Sequence, residues 1–356
     1  LLGIGVAAAL ALLAVVYGVF AALSGQDWPT SEALRIQPLT SFEGMEVDPS
    51  WSPDGSLIAY SHSGSGNLDI YVMSAGGGEP IRRTDSPADE TYPRWSPDGQ
   101  HIAFASGRGD ETSIYLIPPL GGSARALVGT QLEPFLGRAE LGAMPWSPDG
   151  QELLFSRGHQ SRETAIWKVN VETSEETQVT HPPPGGHDLA AAWSFDGTRI
   201  AFHRSENGRE SLWLLDTQGG EARPLLHDEH NYRSPAWSAD GRRIVFATDR
   251  AGPAGLWEIE VASGRLRQLV PKVSRVIAED PTPATGREGK LAYIEKVHDV
   301  DLYWRDVASD EERQLTSGTG DDEAARVSPD GEQVVYSSNR TGNWEIWLLD
   351  LTTEED

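Results

Sequence analysis

From Arg35 onward, apolar and polar positions alternate in short runs, and the runs recur about every 45 residues. Alternation with a period of two predicts strands with one buried face. Recurrence at this spacing predicts a repeat architecture. The clearest marks are Trp51-Ser52-Pro53-Asp54-Gly55, Trp95 to Gly99, Trp146 to Gly150, Trp193-Ser194-Phe195-Asp196-Gly197, Trp237-Ser238-Ala239-Asp240-Gly241 and Val327-Ser328-Pro329-Asp330-Gly331. They start at 51, 95, 146, 193, 237 and 327, in steps of 44, 51, 47, 44 and 90 residues. The last step is two repeats long, so one copy has decayed, with Pro281-Thr282-Pro283 in its place. Each mark reads as a tight turn: Pro presets φ, Asp bonds its local backbone and Gly closes the hairpin. Asp54, Asp98, Asp149, Asp196, Asp240 and Asp330 are therefore read as turn residues, because catalysis has little use for six equivalent carboxylates.

Each turn feeds a second strand that ends near an aromatic: Tyr60, Phe104, Phe155, Phe202, Phe246, Tyr293 and Tyr336. A third strand follows, with an aliphatic before an aromatic: Ile70-Tyr71, Ile114-Tyr115, Ile166-Trp167, Leu212-Trp213, Leu256-Trp257, Leu302-Tyr303 and Ile346-Trp347. Both series have seven members, and aromatics at repeat spacing are read as core between stacked sheets. Fourth strands follow only six times after the third. The seventh is read at the other end, where Arg35-Ile36-Gln37-Pro38-Leu39-Thr40 matches the pattern of Arg313-Gln314-Leu315-Thr316. Four-stranded units at this spacing predict an all-β fold, a β-propeller of about seven four-stranded blades, six being the alternative count. The amino-terminal strand is expected to complete the last blade, because an open stack would leave sheet edges in water.

The first 23 residues break this pattern. Leu1 to Leu23 carry no charge and are almost wholly apolar. As a helix they reach roughly 34 Å, enough for a hydrocarbon core of about 30 Å. The expected organisation is a transmembrane helix over 1–23, a linker over 24–34 and a propeller over 35–356. A signal peptide with a cleavage site near Ala22-Leu23-Ser24 is the alternative. The flank Ser24 to Glu32 has no Lys or Arg, so the propeller is expected on the extracytoplasmic side.

Acidic residues outnumber basic ones, 54 to 29, giving a formal charge of -25. Such a surface repels nucleic-acid backbone, so nucleic-acid binding by this chain is not expected. There is no cysteine, which excludes disulfides and thiolate metal sites. No Gly-x-Ser-x-Gly elbow is present, and the Gly-rich segments Gly76-Gly77-Gly78 and Gly121-Gly122 read as hairpin turns. On these grounds the chain is expected not to be an enzyme.

The Trp-Ser-Pro-Asp-Gly turn, followed by Ile102-Ala103-Phe104 and then Ile114-Tyr115-Leu116, resembles the TolB-type, WD40-like propeller repeat. The apolar span, then Pro38-Leu39-Thr40-Ser41-Phe42-Glu43-Gly44, then Ile117-Pro118-Pro119-Leu120-Gly121-Gly122, is similar to membrane-bound winged-helix regulators of the CadC type. That resemblance implies an extracytoplasmic sensor of a transcriptional regulator. The TolB resemblance implies an envelope scaffold for a protein partner. A third reading is the propeller of a kinase or peptidase whose catalytic domain lies outside this chain.

Candidate binding residues sit just before the inner strands, at the expected channel mouth. Glu46, Asp89, Glu90, Glu140, Asp188, Asp321 and Asp322 form an acidic set there, with Asn231, Tyr232 and Glu279 in the remaining repeats. A ring of like charge focuses a negative potential, so the expected ligand is cationic: calcium, or a basic peptide of a protein partner. No other cofactor is expected. The 51-residue step places a long loop over 129–143, whose Leu132, Phe135, Leu136 and Arg138 are expected to pack on the ring or meet a partner. His187 and His230 precede two neighbouring anchors and, with Asp188, are weak metal candidates.

Overall fold

The computed structural model describes residues 35–40, 42–64, 66–108, 111–132, 144–159, 163–238, 240–251, 255–269, 282–283, 290–296, 300–306, 312–317 and 320–352. The expected span and linker, Phe135, Arg138, Glu140 and Glu279 lie outside the described residues. Among the described residues no helix is long and apolar enough to cross a membrane.

The chain folds as consecutive antiparallel meanders. The first sheet is Glu46–Trp51, Leu57–His62, Asp69–Ser74 and Ile81–Arg82, and the second is Asp89–Trp95, Ile102–Arg108, Glu111–Ile117 and Arg125–Leu132. Next comes a seven-stranded sheet made of two meanders. Glu152–His159, Glu163–Asn170 and Glu176–Gln178 form one, with Trp146 bridged to Leu153 where an inner strand is expected. His187–Trp193, Arg199–Glu206, Arg209–Asp216 and Arg223–Leu226 form the other, joined through the single parallel pair Thr164 and His187. Two four-stranded sheets follow, from Tyr232–Trp237 to Leu266–Gln268 and from Thr282–Pro283 to Glu312–Gln314.

The last sheet draws on both ends of the chain. Asp322–Val327, Gln333–Ser338 and Glu345–Asp350 are completed by Arg35–Pro38, which pairs antiparallel with the final strand from Arg35 opposite Asp350 to Pro38 opposite Trp347. Thr40 then repeats a device used elsewhere. Its hydroxyl accepts the amide of Ile346 at 2.8 Å, as Thr84 accepts Ile70, Thr180 accepts Ile166 and Thr316 accepts Leu302. The amino-terminal strand thus occupies the fourth-strand position.

Apolar clusters lie between successive sheets. Ala59, Ile70 and Val72 meet Trp95, Ile102 and Phe104, while Trp51, Ile58 and Tyr60 meet Val335, Ile346 and Leu348 across the chain ends. The second-strand aromatics Tyr60, Phe104, Phe202, Phe246 and Tyr336 have no measurable exposure, as core demands. The anchor tryptophans add a directed bond. Trp51, Trp95, Trp146 and Trp237 donate their indole N–H to the carbonyls of Arg326, Ser50, Arg94 and Ala192, at 3.0–3.2 Å. Each acceptor lies one residue before the anchor of an adjoining repeat, so the indole stitches inner strands together.

The Ser-Pro-Asp-Gly segments are turns as expected. In each of the six, Asp Oδ1 accepts the hydroxyl of the preceding Ser, at 2.6 Å in Asp54 and 2.5 Å in Asp98. The same oxygen takes the amide two residues on, from Ser56 to Glu332. A Cβ added to Gly55, Gly99, Gly150 or Gly197 would meet Pro329, Pro53, Pro97 or Pro148 at 3.5–3.8 Å, so successive turns lie side by side.

Candidate functional site

The starts of the inner strands carry the candidate set. Five of the inner strands bulge three residues before the anchor, where Asp48, Tyr92, Ala190, Ser234 and Ala324 adopt φ between 48° and 58°. The register shifts at the same places, between Val47 and Ser50 in the first sheet and between Glu323 and Arg326 in the last. A left-handed residue in a bulge redirects the strand, and five copies in register mark a built feature.

Two residues further out, Glu46, Glu90, Asp188 and Asp322 stand at equivalent positions, with Tyr232 in the fifth case. Here the expected open rim is corrected. Glu46 and Asp188 are fully buried, Asp322 is 1% exposed and Glu90 5%. Burial of a carboxylate demands compensation, and for Asp188 and Asp322 an arginine on or just after the second strand supplies it. Arg204 grips Asp188 through Nε and Nη2 at 2.5 and 2.8 Å, and Arg340 Nη2 lies 2.8 Å from Asp322. His62 Nδ1 lies 3.7 Å from Glu46 Oε1. The basic side chains are themselves seated on third-strand aromatics: Arg204 lies 4.1 Å over Trp213 and Arg340 4.7 Å over Trp347. Burial pushes the Glu46 carboxyl up to about 7, against the pull of the Thr40 hydroxyl and with Glu345 adding like charge.

The neighbours one step outward behave differently. Asp89 is exposed and accepts the Leu68 amide at 3.0 Å, and Asp321 is half-buried, its amide bonded to Asn339 Oδ1. His187 is half-buried against the Thr164 hydroxyl at 3.1 Å, and His230 lies 3.6 Å from Asp249. The two histidines do not converge with Asp188. Among the described residues no group of three or more His, Asp or Glu side chains could hold a metal ion. At the turn end all six turn aspartates are exposed. Asp54 and Asp196 are held down at about 2 by the Ser hydroxyl and the amide that bond them. A cleft of about 230 Å³ between the first two sheets is lined by Arg83, Thr84, Glu90, Ser106 and Tyr115.

Sequence reasoning missed the basic partners. The signal was present in Tyr60-Ser61-His62, Phe155-Ser156-Arg157 and Phe202-His203-Arg204, where a basic residue recurs two positions beyond the aromatic. Arg157 uses the same seat, 4.8 Å over Trp167, and pairs with Glu176 at 2.6 Å.

Comparison with known proteins agrees with this architecture. The family described as PD40, TolB beta propeller domain, matches residues 30–182 and 143–355. The Tol-Pal system protein TolB of Anaeromyxobacter dehalogenans is 32% identical over 93 residues, covering 26% of this chain and 20% of that protein. The chain thus spans a small part of the length of that relative. TolB from Acinetobacter baumannii aligns with a TM-score of 0.55 at 18% identity, over 85% of this chain and 68% of that one. Oligogalacturonate lyase in complex with manganese aligns with a TM-score of 0.71 at 14% identity, over 89% of this chain and 93% of that one. The expectation that the chain is not an enzyme is corrected by this likeness. It rested on the missing hydrolase elbow, and a lyase spans nearly the same fold without an appended hydrolase domain.

Proposed function

The chain belongs to the TolB β-propeller domain family, and from that premise we propose that it is a TolB-like protein-interaction module, a seven-bladed ring whose strand-start mouth receives a basic segment of a partner protein. The seven blades are the five four-stranded sheets plus the two meanders of the seven-stranded one. The observation that carries the binding reading is the division of labour among the mouth carboxylates. Glu46, Asp188 and Asp322 are spent on internal pairs, while Asp89 and Asp321, one residue further out, face solvent wholly or in part. Together with a formal charge of -25, this favours cationic partners at the mouth and repels anionic ones. The uncharged segment 1–23 supports membrane attachment with the ring outside the cytoplasm.

The test is a calorimetric titration of the chain with a lysine-rich peptide, and separately with calcium, at low and high salt. Replacing Asp89 and Asp321 by Asn should weaken peptide binding several-fold more than replacing the exposed outer-turn acids Glu172 and Glu175 by Gln. Equal losses from both pairs overturn the mouth as the site.

The fold likeness to oligogalacturonate lyase favours a second reading, catalysis on an acidic saccharide. The charge argument weighs against it, because a polyanionic substrate approaches an acidic ring against its field. Incubation with oligogalacturonate, with and without manganese, followed by absorbance of the unsaturated product, decides between the readings.

A further inference from the structure

The buried mouth carboxylates differ in the permanence of their partners. Asp188 and Asp322 face the guanidinium groups of Arg204 and Arg340, which stay charged at any working pH. Glu46 holds the same position in the first sheet and is equally buried, yet its partner there is His62. Glu46 Oε1 and His62 Nδ1, 3.7 Å apart, both lack a hydrogen bond. The other groups around this pair are identifiable. Thr40 donates to Glu46 Oε2, Tyr60 lies on the same strand as His62, and Glu345 approaches from the final strand. Asp69 acts on His62 from the third strand and is itself paired with Arg82 at 2.7 Å. Among the described residues His62 is the only ion-pair partner of Glu46.

The same carboxyl sits on the seam that closes the ring. The Thr40 hydroxyl that it holds also accepts the Ile346 amide at 2.8 Å. The Glu46 amide donates to Trp344 and the Leu39 amide to Ile346, both at 2.8 Å. Glu46 therefore ties the amino-terminal segment, the first sheet and the final meander together through its side chain and its amide.

We propose that Glu46 and His62 form a proton-operated latch on the ring closure, tight while Glu46 is protonated and looser once it ionises beside Glu345. An ionised carboxylate buried without a permanent cation is costly, and a like charge nearby adds to the cost. Burial raises the Glu46 carboxyl from 4.5 to about 7. Its contribution to closure is then full below 4.5 and is lost as pH rises through 7. Burial lowers the His62 pKa, so the imidazole is neutral over the upper part of that range and offers no compensating charge. This inference stands whichever functional reading holds.

Hydrogen exchange of the full chain between pH 5 and pH 8, corrected for intrinsic rates, reads the latch at the Leu39 and Ile346 amides. Protection there should fall about tenfold or more across this range, and Glu46→Gln should abolish the fall. Asp188→Asn, at a permanent pair, should keep the wild-type dependence. Should Glu46→Gln fail to fold, Glu345→Gln serves instead and should shrink the fall. A flat wild-type profile, or an undiminished fall in these seam variants, overturns the latch.

Discussion

At the scale of single residues the repeat is written in two kinds of carboxylate. The turn aspartates were legible in the sequence because the hydrogen bonds that shape the turn are local: Ser52 to Ser56 contains the donors, the acceptor and the turn. The buried carboxylates were legible only as a recurring charge. Their burial depends on partners such as Arg204, 16 residues beyond Asp188, that only strand register brings alongside. The turn carboxylates make an acid-side prediction. Asp54 is depressed from 3.8 to about 2, so it stabilises the fold above 3.8 and that contribution is lost as pH falls towards 2. Asp54→Asn should therefore be less stable than wild type at pH 7, and the gap should close in urea titrations near pH 2. The bulge residues make a backbone prediction. Ala324 sits at φ 53°, where a side chain costs roughly 1–2 kcal/mol and glycine costs far less. Ala324→Gly should be neutral or stabilising by up to about 1 kcal/mol, and Ala324→Val destabilising, in chemical denaturation.

Among elements, what matters is how each sheet is tied to the next. The anchor tryptophan was read from the sequence as the mark of each repeat, which does not account for its choice over Phe. The indole N–H explains that choice, since Trp95 donates to Ser50 in the neighbouring sheet at 3.1 Å. A single sequence does not display such a bond, because its acceptor is a backbone carbonyl 45 residues away. Trp193 supplies an internal control, for its Nε1 is buried without a hydrogen-bond partner. Trp95→Phe should cost about 1 kcal/mol for the lost bond in addition to lost packing. Trp193→Phe should cost only the packing, and could gain by removing an unsatisfied donor. Paired denaturation curves of the two variants check this, and equal losses would mean that the N–H bonds contribute nothing measurable.

For the whole molecule, stability depends on the seam at the chain ends, because the first and last sheets bury apolar faces against each other there and an opened seam would expose both. The closing strand could be anticipated from Leu39-Thr40, the same signature that ends the fourth strand at Leu315-Thr316. Its role follows from counting strands in each repeat. The sequence placed this strand in the last blade without its register, which is Arg35 opposite Asp350 and Pro38 opposite Trp347. Removing residues 35–40 strips the final strand of its ladder partner, takes away the Thr40 hydroxyl from Ile346 and Glu46, and lays bare an edge. At about 1 kcal/mol net for each hydrogen bond lost, the deletion should cost on the order of 4 kcal/mol before any apolar exposure is added. That loss should appear as one cooperative transition at lower denaturant, since a single apolar cluster spans the seam and holds Trp51 and Tyr60 together with Ile346. A separate early transition would mean that the last sheet frays alone, and an unchanged midpoint would mean that the ring does not depend on its amino-terminal strand.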